Sequence, residues 1–198
     1  MLKRVAVTGG LSSGKSTVCH FFKEQGCYVL SADKIVHHLL VPSTPLGQKI
    51  KNLLGEDTIK DGRFDRSLIA KIVFNEPAKL QALEGLLFPA VRDEQMREYK
   101  IVSENKEIPL FVVEVPLLFE SGSEQFFDKT IVVDAELTLA QQRFMESTKH
   151  PKEEFKKRND RQMPLSEKKE KADYIIYNNG DLAGLKKQTE KIFKQLTS

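Results

Sequence analysis

The chain is 198 residues long, 40% hydrophobic and 30% charged, with 31 basic residues against 28 acidic and a formal net charge of +3. That balance suits one globular core with a small appended lobe. It excludes a disordered chain and lacks the general basic excess that marks a nucleic-acid binder. No apolar run approaches the roughly 18 residues of a membrane span, so a cytoplasmic protein with no membrane partner is expected.

The N-terminus carries Lys3 and Arg4 before Val5-Ala6-Val7. A secretion signal needs about 7–15 apolar residues, so this short run predicts a buried first strand, ended by Gly9 and Gly10. The next residues, Gly9-Gly10-Leu11-Ser12-Ser13-Gly14-Lys15-Ser16, satisfy G-x-x-x-x-G-K-[ST] in full. Glycines let such a loop turn successive backbone N–H groups inward at phosphate oxygens. Lys15 then reaches the outer phosphates, and the Ser16 hydroxyl ligates Mg²⁺. The helix that follows, with Val18, Phe21 and Phe22 at helical spacing and Gly26 at its close, adds its N-terminal dipole to the same anion.

Tyr28–Ser31 predicts a second strand, with Asp33 just past its carboxyl end. A carboxylate there takes the proton of an attacking hydroxyl, orders magnesium waters, or caps the next helix; the residues alone leave these open. From Pro42 to Ser103 the pattern is helical, with turns at 42–45, at Gly55 and at Asp61-Gly62, and no strand is expected. Leu80, Leu83, Leu86, Leu87 and Val91 mark one helix face. Strands resume at 110–115, 130–133 and 174–177, and a last helix carries Leu182, Leu185, Ile192, Phe193 and Leu196. Short apolar strands alternating with helices predict a parallel sheet covered on both faces.

Cys19 and Cys27 are too few for a disulfide framework and read as small buried residues. Residues 149–161 hold six Lys/Arg against three Asp/Glu. That is either a solvated helix face or a basic lid, in which arginines such as Arg143, Arg158 and Arg161 stabilise a transferring phosphoryl group. The guanine-reading N-K-x-D motif of a GTPase is missing, since Asn105-Lys106 is followed by Glu107-Ile108.

Taken with Asp33, Asp61-Gly62, Asp65-Arg66, Pro116-Leu117-Leu118-Phe119-Glu120, Gln162-Met163, Lys168, Ala172-Asp173 and Asn178-Asn179-Gly180, the chain resembles the dephospho-coenzyme A kinases from end to end. The resemblance implies an α/β P-loop fold: a five-stranded parallel sheet flanked by helices, with a helical substrate lobe and a basic lid. It implies a core from 1–33, 105–147 and 173–198, an acceptor lobe at 34–104 and a lid at 148–172. The implied reaction moves the γ-phosphoryl group of ATP, with Mg²⁺, to the ribose 3′-hydroxyl of dephospho-CoA. In that picture Asp33 is the general base and acts with Lys15 and Arg143. Ser12, Ser13, Gly14, Lys15, Ser16, Thr17, Arg158 and Asn178 hold the nucleotide, with Ser16 on the metal and Asn178 near adenine. Arg66, Leu118 and Glu120 join Asp33 on the substrate. The partner is a small molecule and not nucleic acid, and the protein is a monomer or weak oligomer. The chain departs from the family at Phe88, which precedes Pro89 where a histidine is usual, at Ala140 in place of glutamine, and at Ser147 in place of a second lid arginine. Lys149 or Arg161 is the candidate for the missing charge. A kinase acting on a nucleoside monophosphate is the nearest rival, and a non-catalytic ATP- or nucleic-acid-binding module is the rival of another class.

Overall fold

The computed structural model describes all 198 residues. They form two compact units, 1–31 with 99–198 and 32–98.

The first unit is built on a five-stranded parallel sheet. Its strands are β1 (Lys3–Gly9), β2 (Tyr28–Ser31), β5 (Leu110–Glu114), β6 (Lys129–Asp134) and β7 (Tyr174–Tyr177), in the order β2-β5-β1-β6-β7. Strand β1 is central. Its Val7 lies beside Glu114 of β5, and its Gly9 beside Val133 of β6. From β1 the chain moves to the β2–β5 side and later crosses to β6. The carboxyl end of β1 therefore lies at the switch point, where open α/β sheets bind their ligands.

Alternation along the strands sorts the core. Val5, Val7, Val112, Ile131, Val133 and Ile176 face α1 (Lys15–Glu24) and α9 (Leu182–Thr197), which bring Val18, Phe22, Leu185 and Ile192. Elsewhere in this unit the Phe111 ring stacks on Tyr28 and meets Tyr99 edge-on. Tyr99 also donates its hydroxyl to the Leu2 carbonyl at 2.9 Å. Three further helices, α6 (Leu137–Thr148), α7 (Lys152–Asn159) and α8 (Leu165–Lys171), complete the unit. Asp173, in the Ala172-Asp173 motif, joins β6 to the start of β7. It accepts from Lys129 Nζ at 2.7 Å and from the Thr130 amide at 2.8 Å. Burial pushes its carboxyl up, but Lys129 and Thr130 outweigh this and hold it below the usual range.

The second unit packs α2 (Ala32–Leu39), α3 (Pro45–Leu54), α4 (Arg66–Asn75) and the first turns of α5 (Pro77–Val102) around Ile50, Leu54, Phe64, Ile69, Val73, Leu83 and Leu87. It also holds strands the sequence reading did not expect. Ile59–Lys60 (β3) and Arg63–Phe64 (β4) pair antiparallel across Asp61-Gly62. Both turn residues have positive φ, 48° and 72°, as the tight hairpin turn requires. Two-residue strands are too short to show a period of two, so only their turn was legible.

Cys19 and Cys27 are buried free thiols. Burial pushes Cys27 up to about 12. Burial also raises Cys19, with Glu114 adding to the shift and Lys15 opposing it. The folded state therefore holds thiol protons that the unfolded chain releases near the ordinary value of 9.0. This contribution to stability is complete below about pH 9 and is lost as pH rises above it. The urea midpoint is expected to fall between pH 8 and pH 10, and a disulfide reagent at pH 8 is expected to modify neither thiol until the chain unfolds.

Candidate active site

The phosphate loop connects β1 to α1, and two of its glycines are required by contact. A Cβ on Gly9 (φ 146°) would stand 2.2 Å from the Val133 carbonyl oxygen on the neighbouring strand. A Cβ on Gly14 (φ 98°) would stand 2.2 Å from Asn178 Nδ2. The first obstacle is sheet backbone and cannot yield. Gly9→Ala is accordingly expected to lower unfolding free energy by about 1–3 kcal/mol from backbone strain alone, read by urea titration, and to weaken ATP binding with it.

Inside the loop, Lys15 is nearly buried and its ammonium donates to Gly10 O at 2.7 Å and Gly9 O at 3.3 Å. The cation is thus folded over the loop's mouth, where an anion is the stronger acceptor. Ser13 Oγ is buried within the loop with no hydrogen-bond partner. Ser12 takes a left-handed conformation (φ 54°), part of the curl that turns amides inward. The Thr17 and Val18 amides return to Gly14 O, both at 3.1 Å, and so start α1.

Ser16 Oγ donates to Glu114 Oε1 at 2.8 Å. A hydroxyl and a carboxylate side by side at the end of two adjacent elements are the oxygen donors that a hard divalent cation takes. No group of three or more His, Cys, Asp or Glu forms a metal site of its own. A cation at Ser16 and Glu114 would therefore take its other ligands from phosphate and water.

Asn178, expected near adenine, is buried and acts on the loop itself. Its Nδ2 donates to Ser13 O at 2.8 Å, and its amide donates to Asp134 O at 2.7 Å. Arg143 Nη1 donates to Asn178 O at 3.0 Å, so the guanidinium, Asn178 and the loop form one chain of contacts. Arg158 pairs with Glu154 at 2.7 Å and lies over the Phe144 ring, 5.6 Å from its centroid. Phe144 packs with Ala135, Ala140 and Phe155, and Leu11 of the phosphate loop lies against this cluster. Ala140, one of the departures, is therefore a core residue. Ser147, another, turns its hydroxyl back to Arg143 O at 2.8 Å within α6. A cavity of about 680 Å³ opens beside the loop, lined by Gly10, Leu11, Ser13, the 134–137 segment and residues 159–165 in part.

The Pro116–Glu120 segment is mainly an anchor. Leu118, implied above as a substrate contact, has no exposed surface, so its side chain belongs to the core. Glu120 is bound to Lys168 at 2.8 Å, and its Oε1 accepts the Met163 amide at 2.9 Å. Glu114 and Lys168 are the residues sequence reasoning undervalued. Glu114 had its place at a strand's end to mark it, and Lys168, though one of the matching motif residues, lies in a polar run that does not reveal its burial.

In the second unit, Asp33 is exposed in the first turn of α2. The helix begins at Ala32, so Asp33 stands inside it and is not its N-cap. His37 lies one helical turn along from Asp33 and is hydrogen-bonded through Nε2 to Arg66 Nη1. Arg66 is exposed, and Asp65 before it caps α4 by accepting the Leu68 amide at 3.1 Å.

Comparison with known proteins completes this picture. A family model described as dephospho-CoA kinase matches residues 3–184. A dephospho-CoA kinase from Protochlamydia amoebophila (strain UWE25) is 42% identical over 196 residues, covering 98% of this chain and 97% of the relative. A crystal structure from Thermus thermophilus has a TM-score of 0.85 at 32% identity, covering 100% of this chain and 99% of the other. The structure of a dephospho-CoA kinase from Campylobacter jejuni has a TM-score of 0.73 at 30% identity, covering 100% of this chain and 98% of its own.

Proposed function

The chain belongs to the dephospho-CoA kinase family, and from that premise we propose that it transfers the γ-phosphoryl group of ATP to the ribose 3′-hydroxyl of dephospho-CoA, the last step of coenzyme A synthesis. The observation that carries this reading is the complete phosphate loop at the sheet's switch point, with Lys15 over its mouth and Ser16 beside Glu114. It belongs to a chain similar over its whole length to kinases of this one acceptor.

Loop amides and Lys15 hold the β- and γ-phosphates and meet the charge that spreads over the γ-oxygens as the bond loosens. Ser16 and Glu114 would hold Mg²⁺, directly or through water. When bound, the cation neutralises phosphate charge. Asp33 accepts the proton of the 3′-hydroxyl as its oxygen bonds to the γ-phosphorus, and the bond to the β,γ-bridging oxygen breaks with its electron pair leaving on ADP. Arg143, fixed by Asn178, and Arg158 stabilise the transferring group. Residues 34–104, with Asp33 and Arg66 at the acceptor, form the substrate side, and 148–172 form the lid. The enzyme works in the cytoplasm as a monomer or weak oligomer on small molecules; no helix is long and apolar enough to cross a membrane.

Because Ser147 offers no charge, Lys149 or Arg161 supplies the second lid cation. At least one of Lys149→Ala and Arg161→Ala is expected to lower kcat by about tenfold or more; full turnover in both would refute this. The function itself is tested by a coupled assay offering dephospho-CoA, AMP, CMP and dTMP. Turnover is expected with dephospho-CoA, and preference for a nucleotide phosphate would overturn the assignment.

A further inference from the structure

Lys168 has no exposed surface. Its ammonium lies 2.8 Å from Glu120 Oε1 and donates to Pro116 O at 3.1 Å. Both acceptors are shared. Glu120 Oε1 also receives the Met163 amide at 2.9 Å, and Pro116 O also receives Thr8 Oγ1 at 3.3 Å. Thr8 is the residue before Gly9, so one buried ammonium connects the strand that carries the phosphate loop to the α7–α8 connection.

Its neighbours on α8 act in the same sense. Lys169 Nζ lies 2.9 Å from Asp134 Oδ2 at the end of β6. Leu165 Cδ2 lies 3.9 Å from where a Cβ on Gly10 would stand. The helix is therefore fixed to the segments on both sides of β1 and touches the loop between them.

Stability alone does not call for a lysine here. A buried ion pair is commonly replaced by apolar residues of similar volume at no loss. What the ammonium adds is direction, since its N–H groups fix Pro116 and Glu120 at set angles. We propose that Lys168 is a positioning residue for the phosphoryl transfer: through Pro116, Glu120 and Thr8 it holds the carboxyl end of β1, and with it the phosphate loop, in nucleotide-binding shape. The inference rests on the kinase reading only in that the loop holds ATP.

The test compares wild type with Lys168→Met and with the double variant Glu120→Leu/Lys168→Met. The single variant leaves the Glu120 carboxylate without its counter-charge and is expected to lower Tm. The double variant removes both charges and is expected to recover Tm. Calorimetric titration with Mg·ATP, without acceptor, is expected to show binding weakened about tenfold in the double variant despite its recovered Tm. Amide exchange over residues 10–16 is expected to be faster in that variant without ligand. A double variant with wild-type Tm, ATP affinity and exchange would overturn the proposal. Where the double variant does not fold, Thr8→Val removes only one hydrogen bond of the network. It is expected to weaken ATP binding about threefold at unchanged Tm, and unchanged affinity there overturns the proposal equally. A wild-type protein that binds no ATP would refute the nucleotide reading and this inference with it; ATP binding that is equal in wild type and variants refutes this inference alone.

Discussion

Lys15→Ala is expected to lower kcat with dephospho-CoA by about 10³-fold, the scale seen when one fixed donor is removed from a developing anion. Lys15 is the first residue of α1 and is nearly buried, so its charge is poorly screened by water where it acts. Its Nζ already sits over the carbonyls of Gly9 and Gly10, a short swing from any phosphate the loop takes. The substitution deletes the cation and its bonds to the Gly9 and Gly10 carbonyls but leaves the glycine backbone and the Asn178 tether in place. The unfolding midpoint should therefore change little while the chemical step suffers. A steady-state assay at saturating substrates, paired with a thermal melt, separates the two. A variant with kcat near wild type would mean that the loop holds phosphate without activating it.

The second large effect belongs to Asp33. Asp33→Asn keeps the size and the hydrogen-bonding shape but cannot accept the hydroxyl proton. Loss of a general base costs on the order of 10²–10⁴-fold, and the loss is expected in kcat with ATP affinity unchanged. Asp33 is exposed within the first turn of α2, so the substitution disturbs no buried contact. Should ATP binding fall along with kcat, Asp33 would instead be ordering the metal's waters. Titration of ATP against the variant by calorimetry, beside single-turnover rates, decides between the two roles.

The sheet and loop were legible because their determinants are local. A parallel strand buried on both faces needs an uninterrupted apolar run, and Val5–Val7, 110–113 and 131–133 are such runs. The phosphate loop is spelled by glycines whose Cβ atoms would strike Val133 and Asn178. The β3–β4 hairpin escaped because two residues cannot display a period, although Asp61-Gly62 carried its turn. Lys168 stands among the motif residues, but its burial and its partner were hidden for a different reason. The run Ser166 to Lys171 is polar throughout, and its one buried member is selected by Glu120, 48 positions earlier in the chain. Such pairings exist only once the fold has formed. Asn178 and Leu118 make the same point from the other side: their motifs do not reveal that Asn178 braces the loop and that Leu118 is fully buried.

Transfer of the phosphoryl group to a ribose hydroxyl is read from the product itself. The enzyme is incubated with Mg·ATP and dephospho-CoA, and the purified product is read by phosphorus NMR and by proton–phosphorus correlation. One new phosphomonoester coupled to the ribose 3′-proton is expected, formed in equal amount with ADP. A new phosphomonoester coupled to the ribose 2′-proton, or ADP released with no new phosphomonoester, would contradict it.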